Sequence, residues 1–296
     1  MRILPKTILS AIDFSAFTDM IYSYSVALCK KYDAKLLLVH VTTELKTLLE
    51  HSETALDVEA LQAENIRYAQ ERLEERAKDL PVENEIIIGQ GTPADIISRL
   101  ASEQQADMVI TATHGKTGFN RLLLGSVTEK LIKTLHCPLL VLPPQEHVSM
   151  PPAAVEIKLN KILVGCDFSS DSKLAFDYGL SLAQEFQAEL HLSHVIKPSL
   201  YKNERQGIDQ LRERLAKKLD GMVPENCRAW CTATSVLLEG EPYIALMEYA
   251  KKQGMDMLVL GIRGHTLWEK LLVGSTTDRL IRHAPIPVLA VRQIEG

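Results

Sequence analysis

Residues 261–276 read GIRGHTLWEKLLVGST, and residues 112–127 read ATHGKTGFNRLLLGSV. A glycine, a nine-residue insert and a G-S pair recur in both: Gly264 with Gly274-Ser275, and Gly115 with Gly125-Ser126. Glycines let a backbone turn tightly and let a ligand approach closely. A serine that opens a helix lies among N–H groups with no intrahelical partner, where the helix dipole favours an anion. Ser275 and Thr276 add hydroxyl donors, while Arg263 and His265 add positive or switchable charge. The chemistry this pattern suits is phosphate binding. The earlier copy departs from it at two positions, with Ala112 in place of Gly261 and Val127 in place of Thr276, although Lys116 keeps a cation there. If position 112 needs a positive φ, alanine costs roughly 1–2 kcal/mol. Each ~1.4 kcal/mol is tenfold in affinity, so the first site is expected to be weakened rather than abolished.

Two acids stand where a second wall of such a site would be. Asp13 closes the apolar run TILSAI, and Asp167 follows ILVGC. Each can face a ligand or cap its own turn. No other acid forms a metal pair with them and no further general base is evident, so no catalytic residue and no metal ligand is assigned. Two nucleotide-loop patterns fail. A Walker loop through Gly115-Lys116-Thr117 needs glycine at position 110, which is Ile110, and the turn after strand one, DFSAFT or DFSSDS, is not G-x-G-x-x-G. His191 and His194 are three apart on a strand and so face opposite sides. His40 and His194 suit structural roles. Cys227 and Cys231 form a C-x3-C pair, a weak metal or redox signal set against thiols in or beside a strand.

These residues must be positioned by repeated elements. KTILSAIDFS (6–15) resembles KILVGCDFSS (161–170) at an offset of 154, and GTPADI (91–96) resembles GEPYIA (240–245) at an offset of 149. Between the copies, residues 142–160 carry four prolines in two pairs, which marks a linker. The expected division is a first domain over 1–145, a linker over 146–158 and a second domain over 159–296. In each copy, short apolar runs alternate with helical stretches. Ser15 is expected to cap the first helix. Residues 57–79 and 203–219 suit long charged helices with solvated faces. Apolar strands alternating with helices predict an α/β fold with a doubly wound parallel sheet. Ligands bind such sheets at the carboxyl ends of strands, where the winding reverses. If strands one and four are neighbours, the Asp turn and the glycine loop line one crevice.

The formal net charge of −5 and the scattered basic residues argue against nucleic-acid or membrane-surface binding. Five cysteines without a framework spacing point to a reducing compartment. Asp13 comes too early for a signal peptide, and no apolar run approaches 18 residues. The chain is expected in the cytoplasm.

The whole pattern resembles the universal stress protein family in its tandem two-domain form. That family's nucleotide-binding members carry G-x2-G-x9-G-[ST] after strand four, which Gly261, Gly264, Gly274 and Ser275 match. The resemblance extends to D-F-S after strand one, H-V after strand two and the closing CPLLV or IPVLA strand. It implies five-stranded sheets in the order 3-2-1-4-5, of the adenine-nucleotide alpha-hydrolase-like type. It places Asp167 beside the nucleoside, the backbone of Val195 against adenine, and Gly261, Gly264, Gly274, Ser275 and Thr276 around ribose and phosphates. The first-copy counterparts are Asp13, Val41, Gly115, Gly125, Ser126 and Val127. ATP, ADP or AMP, with or without Mg2+, is the implied ligand. Pairing of the two halves through their fifth strands, further pairing of chains and an unnamed protein partner are implied as well. The functional expectation is a nucleotide-dependent stress-response regulator, with a slow ATPase or a nucleotide-free scaffold as the alternatives.

Overall fold

A computed structural model of the chain describes residues 3–44, 57–113, 124–144, 157–197, 205–225, 227, 231–263 and 273–293. The chain divides into two compact units, one built on Pro5–Cys137 and the other on Lys158–Gly296 together with Met1–Leu4 and Pro138–Pro143.

The first-repeat unit holds strands β1 (Thr7–Ala11), β2 (Lys35–Thr42), β3 (Asn84–Gln90) and β4 (Met108–Ala112). They run parallel in the order β3-β2-β1-β4. Its helices are α1 (Thr18–Tyr32), α2 (Val58–Ala77), α3 (Pro93–Glu103) and α4 (Ser126–Thr134). β1 lies between β2 and β4, with Ile8 opposite both Leu36 and Met108. A strand covered on both faces needs no polar alternation, and Ile8 and Leu9 are fully buried. Each such side chain contributes roughly 1.5–3 kcal/mol by leaving water.

The second-repeat unit holds β6 (Lys161–Gly165), β7 (Glu189–Ile196), β8 (Ala233–Glu239), β9 (Met257–Gly261) and β10 (Val288–Val291). Their order is β8-β7-β6-β9-β10, all parallel. This is the expected order 3-2-1-4-5 of a doubly wound sheet. Its helices are α5 (Ser170–Phe186), α6 (Arg205–Asp220), α7 (Pro242–Gln253) and α8 (Ser275–His283). Strand β5 (Leu139–Leu142), which closes the first repeat in sequence, lies antiparallel against β10, with Val141 opposite Val288 and Leu139 opposite Ala290. All four β5 residues are buried.

Local chemistry sets the ends of these elements. Gly91 and Gly240 take φ of 126° and 124° after β3 and β8, a conformation that only glycine adopts easily. Pro93 and Pro242 then open α3 and α7 with a preset φ. Asp107 and Asp256 brace the opposite, amino-terminal end of the inner strands. Asp107 Oδ2 accepts the N–H groups of Lys6 and Thr7 at 2.7 and 2.9 Å, and Asp256 Oδ2 accepts those of Asn160 and Lys161 at the same distances.

One expected cap differs. Ser169 caps α5, its Oγ accepting the Ser172 N–H at 3.2 Å. Ser15 does not cap α1. The cap position there is Phe17, with no side-chain bond, and α1 starts at Thr18. Ser170 corresponds to Ala16 at the offset of 154, so α1 starts two residues late. Ser15 Oγ accepts the Phe17 N–H at 3.3 Å instead, which spends the hydroxyl inside the turn. The charged helix α2 is also less solvated than its composition suggests, since Ala69, Leu73 and Ala77 are buried along one side.

Candidate functional site

The acid at the end of strand one builds the same turn in both repeats. Asp13 Oδ1 accepts the Ser15 N–H at 2.9 Å. Asp167 Oδ1 accepts the Ser169 N–H at 3.0 Å and the Ser169 hydroxyl at 2.5 Å. The residue inside each turn is left-handed, Phe14 at φ 58° and Phe168 at φ 67°. A bulky side chain there costs on the order of 1–3 kcal/mol and persists only where its surroundings hold it.

The surroundings are repeated too. His40 Nδ1 bonds the Ile12 carbonyl at 2.6 Å, and His194 Nδ1 bonds the Cys166 carbonyl at 2.7 Å. The imidazoles sit 4.5 Å from the Phe14 ring and 4.7 Å from the Phe168 ring, centroid to centroid. A cation then covers each phenylalanine. The Arg72 guanidinium of α2 is 4.3 Å from the Phe14 ring centroid, and Lys218 Nζ of α6 is 4.0 Å from that of Phe168. Burial pushes the His194 imidazole below its ordinary pKa, opposed by the Cys166 carbonyl and by Asp167. The sequence marked Asp13, Asp167 and the histidines, but it missed the phenylalanines and their cations. The repeated D-F-S was the available signal, since phenylalanine is costly at a left-handed turn.

The glycine loops are pinned alike at both ends. Gly125 N–H donates to the Thr113 carbonyl and Gly274 N–H to the Ile262 carbonyl, both at 2.8 Å. The Thr128 hydroxyl donates to the Ala112 carbonyl and the Thr277 hydroxyl to the Gly261 carbonyl, both at 2.7 Å. Ser126 and Ser275 open α4 and α8 directly after these anchors. Gly115 and Lys116, and Gly264 and His265, lie outside the described residues.

In the first repeat the strand ends and the start of α4 line an open cavity of about 180 Å³. That is several times the ~30 Å³ share of one water molecule in the liquid. Asp13, Val41, Ala112, Gly125, Ser126 and Val127 all line it, with His40, Thr111 and Thr128 among the other walls. The strand-one acid, the end of β2 and the start of α4 therefore converge, as the sheet topology requires. In the second repeat Asp167 follows β6, Val195 lies in β7, Gly261 ends β9, and Gly274, Ser275 and Thr276 lead into α8.

The first glycine of the later loop has a different purpose from the expected one. Gly261 is not among the residues with positive φ. A Cβ there would stand 2.8 Å from the backbone carbon of Asp171 and 2.8 Å from the Ser172 nitrogen. Gly261 is needed because the first turn of α5 packs against the end of β9. The later start of α1 accompanies Ala112, which is 6% exposed and part of the cavity wall. The φ argument for a weakened first site is thus overturned by the backbone.

Asp171 ties that packing together. Its carboxylate accepts the N–H groups of Arg263 and Gln293, each at 3.0 Å. Arg263 Nε also lies 3.3 Å from it, and Arg263 Nη2 donates to the Gln293 carbonyl at 2.9 Å. The pair is nearly dry, with side-chain exposures of 16% for Arg263 and 2% for Asp171. Arg263 thus anchors the strand ends. Position 171 corresponds to Phe17 in the first repeat, so this clasp belongs to the second repeat alone.

The universal stress protein family model matches residues 5–143 and again 158–292. The chain belongs to the universal stress protein family. It carries two tandem domains of that family. A universal stress protein of Mycolicibacterium smegmatis is 25% identical over 307 residues, covering 96% of each chain. One from Methanocaldococcus jannaschii is 29% identical over 139 residues, covering 45% of this chain and 82% of that protein. The crystal structure of a universal stress protein from Archaeoglobus fulgidus superposes with a TM-score of 0.70 at 18% identity, covering 97% of this chain and 98% of that one. The universal stress protein fold is therefore shared along nearly the whole length. Among the described residues, no helix is long and apolar enough to cross a membrane.

Proposed function

We propose that this universal stress protein binds adenine nucleotides, one in each repeat, and acts as a nucleotide-dependent regulator. The observation that carries the reading is the first-repeat cavity, where the Asp13 turn and the opening of α4 meet. A ribose hydroxyl can donate to the Asp13 carboxylate. The backbone of Val41 can meet the base edge. The first-turn N–H groups at Ser126 and Val127 suit phosphate oxygens. Asp167, Val195, Gly274, Ser275 and Thr276 offer the corresponding groups in the second repeat, with Gly115 and Gly264 carried over on the family pattern. Adenine is the base implied by that pattern. Mg2+, where present, would arrive on the nucleotide phosphates.

Ala112 does not remove the first site from this reading, because it shapes the wall of the cavity that is there. Calorimetric titration of the nucleotide-free chain with ATP, ADP and AMP tests the proposal. Asp13→Asn and Asp167→Asn are each expected to weaken one site at least tenfold, because the amide oxygen can still cap the turn while the charge is lost. Unchanged affinity in both variants would remove the aspartates from the site.

A further inference from the structure

The floor of the first-repeat cavity differs from its counterpart in the second repeat. Ala11 pairs with Val39, and the register that sets Ser10 opposite Ile110 carries Ala11 to Thr111. Residues paired in register share a face of the sheet, so Val39, Ala11 and Thr111 form a row across β2, β1 and β4. Val41 lies two residues beyond Val39, on the same face. Pro93 and Ile97 of α3 line the cavity together with this row. Thr111 is the polar member of the row. It is 6% exposed, yet its hydroxyl is not sealed from solvent and bonds none of the described residues. Its open surface therefore lies on the cavity that it lines. Three other polar side chains of the walls are engaged. The Thr128 hydroxyl serves the Ala112 carbonyl, His40 Nδ1 the Ile12 carbonyl and Asp13 Oδ1 the Ser15 N–H. A hydroxyl set so deep without a protein partner calls for a ligand or a water to complete it. In the second repeat Leu260 stands at the place of Thr111 and Gly165 at that of Ala11. A Cβ on Gly165 would stand 2.6 Å from Leu260 Cδ2 and 3.5 Å from Leu246 Cδ1. The leucine side chain thus lies over the glycine, with hydrocarbon where the first repeat has a hydroxyl.

We propose that Thr111 is a specificity-determining residue of the first repeat, its hydroxyl donating to a purine ring nitrogen on the edge that Val41 does not meet. The inference rests on the nucleotide reading above. A purine is flat, apolar on its faces and polar at its edges, which suits a space between the strand row and α3. Val41 and Thr111 lie on β2 and β4, with β1 between them. Two strand spacings are ~9–10 Å, so the two residues address opposite edges of one base. With the Val41 backbone on one edge, the acceptors left on the other are the ring nitrogens N3 and N7. A threonine hydroxyl supplies the donor that such a nitrogen needs. The second repeat, with Leu260, meets the base there by apolar contact alone. The first repeat therefore distinguishes a purine that carries the nitrogen from one that lacks it, and the second repeat does not.

The test is calorimetric titration of the ligand-free full chain, wild type and Thr111→Val, with ATP, 7-deaza-ATP and 3-deaza-ATP. Valine keeps the side-chain shape and removes the hydroxyl. The expected result is that Thr111→Val weakens one of the two ATP-binding events ~5–10-fold, the worth of one hydrogen bond, and leaves the other unchanged. One of the deaza nucleotides should lose the same factor on the wild type and nothing further on Thr111→Val. The ligand-free thermal midpoint of Thr111→Val should stay level or rise, since the hydroxyl removed had no protein partner. The proposal is overturned if Thr111→Val binds ATP as tightly as the wild type, or if it weakens ATP and both deaza nucleotides alike. A wild-type chain that binds no ATP would overturn the nucleotide reading itself, and this inference with it.

Discussion

At the scale of single residues, the two loops differ for a reason of packing. The sequence showed that glycine stands at 261 and alanine at 112, and the spacing placed both after strand four. It did not show what a Cβ would touch, because that depends on where the following helix of each repeat begins. Gly261→Ala is expected to destabilise the ligand-free protein by ~1–3 kcal/mol, the usual cost of overpacking. The atoms it would strike belong mainly to backbone, which cannot swing aside. Ala112→Gly should cost only ~0.5–1 kcal/mol, from added chain entropy. Urea denaturation of both variants checks this, and equal losses would contradict it. Two histidines, His191 buried and His194 partly so, give a pH signature at the same scale. Burial lowers the His191 and His194 imidazoles from the ordinary value of 6.5. The unfolded chain therefore binds protons that the folded chain does not. Their contribution to stability is complete above pH ~6.5 and declines as pH falls below it. The thermal midpoint should drop on acidification from pH 7 to 5, with a shallower slope in His194→Gln.

At the scale of elements, strand–helix alternation was legible because apolar runs without polar alternation specify buried parallel strands. The start of α1 was not legible. Ser15 has the right residue type for a cap, but the Asp13 turn already engages its N–H, and its Oγ serves Phe17. The charged helices were read as solvated, yet each reaches the strand-one turn through one cation. Arg72 and Lys218 do the same work from α2 and α6 although their surroundings in sequence differ. Arg72→Ala should therefore cost ~0.5–1 kcal/mol, the worth of a partly exposed cation–π contact. Arg72→Lys should recover most of it, since lysine already fills that place in the second repeat. A double-mutant cycle with Phe14→Leu measures the coupling, and a coupling energy of zero would show that the contact carries nothing.

At the scale of the whole molecule, the duplication was readable from two offsets, and it located both Asp turns and both glycine loops. The edge chosen by β5 was not readable from the residue pattern, which left fifth-strand pairing to the family resemblance alone, because that choice depends on pairing distant in sequence. β5 covers β10 with buried leucine and valine side chains. A fragment of residues 158–296 lacks β5 and leaves the β10 edge bare, a ready template for pairing with another chain. Light scattering should find that fragment dimeric or aggregated, and a stable monomer would contradict the pairing's importance. The central claim is that two family domains hold two nucleotide crevices, the first kept open by the walls that Ala112 helps to form. The most direct measurement is the number of adenine nucleotides bound per chain, by calorimetry on protein stripped of ligand. The account predicts two; a chain that binds one or none at millimolar ATP, ADP or AMP would contradict it.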